Sequence, residues 1–137
     1  MRTVSVDIDA PVDVVYAYLT EPANRPEWQG SLRRTVDVVG DGSVGTSWTD
    51  VTTVGARPRM RITDATPGVS WAERGEWHGI DADLRLTFDP IPTGTRVTAT
   101  VDLRTPALLL PVGVVLRRLA PYAVRGDLVR AARAVGS

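Results

Sequence analysis

The stretch DADLRLTFDPIPTGTRVTATVDL, residues 81–103, decides the fold. Leucine and phenylalanine alternate with charged or hydroxyl side chains in its first part, and valine and alanine do so in its last part. A two-residue period is typical of strands with one buried and one solvent-facing side. Proline, threonine and glycine at 92–94 predict a hairpin turn between the two parts. The stretch therefore predicts two antiparallel strands, 81–89 and 95–103, each with one apolar face.

The chain before this hairpin shows the same pattern. Turns that contain glycine recur at short intervals between residues 40 and 79 and separate further strand-like runs. Val4, Val6 and Ile8 alternate with polar residues and predict the first strand. The other predicted strands are 32–39, 45–53, 57–65 and 69–77. Because hairpins join antiparallel neighbours, the seven strands are expected to form one antiparallel sheet.

Helical spacing is found in two parts of the chain. Between the first two strands, Pro11 favours the start of a helix that ends near Pro22, and residues 24–28 predict a second short helix or turn. After Pro106, apolar residues recur at three to five positions and predict a long C-terminal helix. Proline removes a backbone hydrogen bond, so we expect Pro111 and Pro121 to break or kink this helix, with a loose segment before Pro121 and a firm helix after it.

This order of elements predicts an α+β fold. One helix cannot bury both faces of a seven-stranded sheet, so the sheet is expected to curl around the helix. An internal pocket is the natural remainder of that geometry. With 137 residues and no linker-like tract, the chain is expected to form a single domain over residues 1–137.

The composition excludes several kinds of chemistry. The chain has no cysteine and one histidine, which rules out thiol nucleophiles, disulfides and multi-histidine metal sites. Every basic side chain other than that histidine is arginine, so Schiff-base chemistry on lysine is also excluded. No cofactor and no metal are expected. The formal net charge of zero removes the general attraction to nucleic acid.

The chain also lacks the signals of export and of membrane insertion. Residues 1–10 alternate from the start and do not resemble a secretory signal. The most apolar stretch, Leu108 to Leu119, is interrupted by Pro111 and Gly113 and is shorter than the ~20 residues that a membrane span requires. We therefore expect a cytoplasmic protein.

Four short motifs in order are similar to those of a known superfamily. They are IDAPVDVV at 8–15, Pro26-Glu27-Trp28, Val44-Gly45-Thr46 and GTRVT at 94–98. The chain resembles the START-like superfamily (SRPBCC), the polyketide cyclase/dehydrase and lipid transport group. The resemblance implies a helix-grip fold, in which a seven-stranded curved antiparallel sheet surrounds a long C-terminal helix and two short helices follow the first strand. Because a fold does not determine an activity, the resemblance leaves function open.

Aromatic and aliphatic side chains are the candidates for ligand binding. The match of Trp28 to the superfamily motif implies a place in the pocket wall, and Trp48 and Trp71 lie on strands of the predicted sheet. Flat, rigid indole rings suit planar or polycyclic ligands, although packing in the core is the alternative role for each ring. The complete set of ligand-binding candidates is Trp28, Trp48, Trp71, Leu84, Leu86, Phe88 and Tyr122.

Asp50 and Glu73 are the candidate catalytic groups. Asp50 shares a strand face with Trp48, and Glu73 shares one with Trp71. A carboxylate that faces an apolar cavity has a raised pKa and can move a proton near neutral pH, whereas one that faces solvent needs no functional explanation. We interpret His78 as a surface or rim residue, and Arg59 and Arg61 as solvated.

Three functions are compatible with these features. The first is binding of a hydrophobic or aromatic small molecule, such as a lipid or a polyketide. The second is a cyclase/dehydrase-type enzyme with Asp50 or Glu73 as base and Tyr122 or an arginine as proton donor. The third is a co-chaperone-like interaction module, in which Leu108 to Leu116 supplies an exposed apolar patch or pairs two copies. The expected state is a monomer or a homodimer.

Overall fold

The computed structural model describes residues 2–106 and 110–136, with side chains described as far as residue 106 and again from residue 120. The strands are β1 (Arg2–Ile8), β2 (Leu32–Val39), β3 (Ser47–Thr52), β4 (Arg59–Thr66), β5 (Ser70–Trp77), β6 (Ile80–Ile91) and β7 (Gly94–Arg104). The helices are α1 (Val12–Thr20), α2 (Arg25–Trp28) and α3 (Leu110–Gly136), with a 3-10 turn at Pro22–Asn24. The predicted α+β order of elements is confirmed.

The seven strands form one antiparallel sheet in the order β1-β7-β6-β5-β4-β3-β2. The hairpin at 92–94 is tighter than predicted, because Ile91 still pairs with Gly94 and only Pro92 and Thr93 lie between the strands. Gly94 has a φ of 144°, a conformation that L side chains rarely adopt, and a Cβ there would lie 2.1 Å from the carbonyl oxygen of Ile8. Glycine at this position therefore lets β1 and β7 meet closely.

The apolar faces of β5, β6 and β7 turn toward one side, the concave side of the sheet. α3 packs on this side against β1 and β7, and its buried residues Leu128 and Ala131 belong to the same core cluster as the strand residues. Inward-facing core residues on β5, β6 and β7 are Trp71, Leu86, Phe88, Val97 and Ala99. This is the helix-grip arrangement, and it follows from the alternating pattern of β6 and β7.

The predicted break of the C-terminal helix at Pro121 is wrong. α3 runs from Leu110 to Gly136 as a single helix with Pro121 inside it. Pro111 lies in the first turn, where its missing N–H would have no helical partner in any case. Within the helix, the packing of α3 against β1, β7 and α2 offsets the one hydrogen bond that Pro121 removes. The loose segment and the apolar patch expected at Leu108 to Leu116 depend on side chains outside the described residues.

In the part of the chain that the structure describes, no helix combines the length and the apolar character needed to cross a membrane.

Candidate functional site

A buried arginine lies at the centre of the candidate site. Arg25 and Trp28 are one turn apart in α2, so both side chains point to the same side, and the exposed fraction is 1% for Arg25 and 3% for Trp28. Two hydrogen bonds join α3 to this short helix and to the residues that follow it. Nε of Arg130 donates to the carbonyl of Trp28 at 3.1 Å, and the N–H of Gly30 donates to Oδ1 of Asp127 at 3.1 Å. The polar contacts with α3 therefore position α2.

Glu73 of β5 is the counterion of Arg25. Both terminal nitrogens of the guanidinium donate to the carboxylate, Nη1 to Oε2 at 2.7 Å and Nη2 to Oε1 at 2.6 Å. Glu73 is as deeply buried as its partner. A paired, bidentate geometry is the arrangement in which an arginine can be kept charged away from water.

Three indole rings surround this guanidinium. Its Cζ lies 5.7 Å from the ring centroid of Trp28, 5.4 Å from that of Trp48 and 5.3 Å from that of Trp71. The rings come from α2, β3 and β5, and all three are buried. Each distance is within the ~6 Å over which the negative face of an aromatic ring attracts a cation. The three rings thus form a box around Arg25, and we call the box with Arg25, Glu73 and Asp50 the ionic cluster.

Asp50 of β3 is the third charged member of the ionic cluster. The indole N–H of Trp48 donates to Oδ1 of Asp50 at 2.8 Å. Burial raises the pKa of Asp50 to about 6, with a further contribution from Glu73, although Arg25 and the Trp48 hydrogen bond act in the opposite direction. Asp50 therefore exchanges a proton close to neutral pH.

The charges also affect Arg25. Burial disfavours its charged form, but the negative charges of Glu73 and Asp50 outweigh burial, so the pKa of this guanidinium is raised above its ordinary value. The guanidinium stays protonated at any working pH. With Asp50 ionised, two carboxylates face one guanidinium.

The concave face has two unlike halves. In the closed half, Trp71, Leu86, Phe88, Val97 and Ala99 are buried. The inward-facing residues nearer the Arg104 end of β7 are only partly buried. They are Met60, Ala82, Leu84, Val101 and Leu103, and we call these five residues the open half. β7 ends at this side and the chain enters α3 at Leu110. The open half is an apolar surface at the start of the long helix.

The structure brings together three of the predicted ligand-binding residues and separates the others. Trp28, Trp48 and Trp71 meet around Arg25, whereas Leu86 and Phe88 lie in the closed half and Leu84 in the open half. Tyr122 is 76% exposed on the surface of α3, away from the buried aromatic rings. A role for Tyr122 in the ligand site stays a prediction without support from its position.

The two predicted catalytic carboxylates have different surroundings. Both carboxylate oxygens of Glu73 accept hydrogen bonds from Arg25, which makes Glu73 a charge partner in this arrangement. Asp50 accepts from a neutral indole and keeps a proton affinity near neutral pH. Of the two, Asp50 is the group with the properties of an acid or base.

The remaining charged candidates lie at the surface, as the sequence predicts. Arg59 and Arg61 are exposed. His78 is exposed in the β5–β6 hairpin with a φ of 49°, and its ring packs edge-on against Trp77 at 4.6 Å between centroids. Among the described residues, no three His, Cys, Asp or Glu side chains are grouped to hold a metal ion.

Arg25 is the site residue that sequence reasoning missed. Its only local signal is its position one helical turn before Trp28. The partner that explains it, Glu73, is 48 positions away in the chain. A spacing rule cannot reveal such a pair, because the contact arises only when α2 closes over the sheet.

The fold and the site together define a class of protein: a helix-grip domain whose concave face carries an ionic cluster beside a partly buried apolar surface. The chain belongs to the polyketide cyclase / dehydrase and lipid transport family, whose model matches residues 2–136. The predicted superfamily is therefore confirmed. No curated protein matches the sequence.

Several solved structures have the same fold. The di-domain ARO/CYC StfQ from the steffimycin biosynthetic pathway superposes with a TM-score of 0.80 at 20% identity, over 98% of this chain and 49% of that one. Ara h 8.0201 gives 0.79 at 10% identity, over 98% and 95% of the two chains. A conserved protein from Geobacillus kaustophilus gives 0.75 at 14% identity, over 97% and 93%. The chain thus spans about half the length of StfQ, and at these identities the similarity shows the fold alone.

Proposed function

We propose that the protein binds a hydrophobic or aromatic small molecule between the open half and α3. The observation that carries this proposal is the contrast within one concave face. Both halves are apolar, but the closed half is buried by the protein itself while the open half is not. Small-molecule sites are usually concave and mostly apolar, with a few polar groups at their edge. The open half has this composition.

The family description and the structural similarity to StfQ also support binding of a hydrophobic or aromatic small molecule. The family description joins polyketide cyclases with lipid transport, and StfQ comes from a biosynthetic pathway. Aromatic polyketides and lipids are both mostly apolar and would fit a surface of leucine, valine, alanine and methionine. The tryptophans at the border of the open half favour planar, aromatic ligands over flexible chains.

Saturable uptake of a neutral hydrophobic probe tests the proposal. We expect the purified protein to bind N-phenyl-1-naphthylamine with a fluorescence increase that saturates, and a bound organic molecule to be found by native mass spectrometry. Gly75 is buried beside Met60, and a Cβ there would lie 2.8 Å from the flexible Met60 Sδ. The Gly75→Leu variant therefore fills the open half and should weaken probe binding about tenfold or more.

The matched control puts the same side chain on the other face of β5. Glu76 is adjacent to Gly75 and exposed on the convex side, so the Glu76→Leu variant should bind the probe like wild type. Circular dichroism and thermal unfolding establish that both variants fold. Folded wild-type protein that takes up no probe, or equal affinities for both variants, would contradict a ligand site in the open half.

One observation favours a second function, catalysis of the cyclase/dehydrase kind. Asp50 is buried and has a pKa of about 6, which suits a group that takes a proton from a carbon beside a ketone and returns it to a departing hydroxyl. Exchange of the α-protons of 2-tetralone in deuterated buffer, followed by NMR, tests this step. We expect wild-type protein to accelerate the exchange and Asp50→Asn to abolish the acceleration. Equal rates with the two proteins would leave binding as the sole function.

A further inference from the structure

Asp50 lies at the border between the ionic cluster and the open half. Trp48 pairs with Met60 of the open half, and Asp50 follows two residues later on the same face of β3, where its N–H donates to the carbonyl of Pro58. Its side chain is buried to 4% exposure. A ligand that covers Met60 therefore has two inward-facing carboxylates close by, Asp50 on β3 and Glu73 on β5, and Glu73 is already held by Arg25.

Asp50 has no counterion of its own among the described residues. The guanidinium of Arg25 is buried nearby, but it directs both terminal nitrogens to Glu73. The hydrogen bond that Asp50 accepts comes from the neutral indole of Trp48. A carboxylate can accept about four hydrogen bonds, so Asp50 retains capacity for a donor from the ligand.

We propose that Asp50 anchors the ligand by accepting a hydrogen bond from a hydroxyl group, so that the natural ligand is an uncharged, mostly apolar molecule that carries a hydroxyl group. This inference rests on the proposed binding function and specifies the chemical class of its ligand. A ligand carboxylate or other anion at the same point would meet two carboxylates and one guanidinium, and is disfavoured. A ligand with no polar group would leave the buried charge of Asp50 without compensation.

Naphthalene and two of its derivatives test the proposal, because the three compounds share one ring system and differ in their polar group. Equilibrium dialysis at about pH 7.5 measures the affinities of naphthalene, 2-naphthol and 2-naphthoate for wild type, for Asp50→Asn and for Asp89→Asn. Asp89 is exposed on β6, so the last variant makes the same charge change at the surface. Because a hydrogen bond to a buried charge is stronger than one to a neutral group, we expect wild type and Asp89→Asn to prefer 2-naphthol over naphthalene about tenfold. In Asp50→Asn the preference should fall below about threefold.

The preference should also depend on pH. Asp50 is faced by Arg25 from α2 and Glu73 from β5, and Asp127 of α3 acts on Arg25. As the pH falls through about 6, Asp50 takes up a proton, and the preference for 2-naphthol should shrink in wild type but not in Asp50→Asn.

The outcomes separate this inference from the proposed function. If wild type binds naphthalene and 2-naphthol equally, or binds 2-naphthoate most tightly, the hydroxyl anchor is overturned while the binding function stands. The same holds if Asp50→Asn keeps the full preference for 2-naphthol. If none of the three compounds binds to folded wild type, the proposed function fails, and the anchor fails with it.

Discussion

The closed half and the open half of the concave face have similar side chains but different surroundings. In the closed half, Leu128 and Ala131 of α3 cover the strand residues and the ionic cluster seals one side. In the open half, Leu84, Val101 and their neighbours keep part of their surface accessible. The difference shows that alternation in a strand determines which residues face inward, whereas packing by other elements determines which of them become core.

The ion pair of the ionic cluster determines where α2 packs on the sheet. A buried ion pair adds little net stability compared with apolar residues of the same volume, because removing two charges from water is costly. Removing one partner is different, since the other charge then stays buried without compensation. Arg25 and Glu73 therefore fix the position of α2 over the sheet: any other position would separate them.

The largest effect is expected when the ionic cluster is broken on one side. Arg25→Met leaves Glu73 buried without a counterion and should lower the free energy of unfolding by about 3–5 kcal/mol. Urea denaturation measures the change. The double variant Arg25→Met/Glu73→Met removes both charges and should recover most of the loss. If the double variant is as unstable as the single one, the pair does not act as a charge pair.

The next largest effect is expected from truncating a leucine that packs on the closed half, compared with truncating one in the open half. Leu128→Ala removes a fully buried side chain that contacts the closed half and should cost about 2–4 kcal/mol. Leu84→Ala makes the same chemical change in the open half, where the side chain is only partly buried, and should cost less than about half as much. Thermal or urea unfolding of both variants gives the comparison. Equal losses would mean that the two halves are packed alike.

The smallest of the three effects concerns Asp50 and depends on pH. Its pKa is raised from 3.8 to about 6 in the folded protein, so the native state binds this proton more tightly than the unfolded state, and wild type loses stability as the pH rises through this window. Asp50→Asn does not titrate. The stability of the variant relative to wild type should therefore increase by about 2 kcal/mol between about pH 4 and about pH 7.5. Parallel stability curves would show that Asp50 has an ordinary pKa.

Much of the fold and part of the site were predictable from local patterns. Alternation identified all seven strands, and it placed Asp50 beside Trp48 and Glu73 beside Trp71. The alternation did not decide whether Asp50 and Glu73 face a cavity or the solvent. A strand pattern gives two faces and does not say what covers either of them. The effect of Pro121 was misjudged because a proline rule describes an isolated helix, whereas α3 packs against β1, β7 and α2.

The sequence by itself determined the order of helices and strands and which residues of a strand share a face, since both follow from side-chain direction over two to five residues. Only the tertiary structure decided that Arg25 meets Glu73 within a box of three tryptophans, and that one half of the concave face is filled while the other is not. The physical reason is that a charge can be buried only where a counterion from a distant part of the chain reaches it. Packing likewise depends on which elements meet and not on the pattern within any one of them.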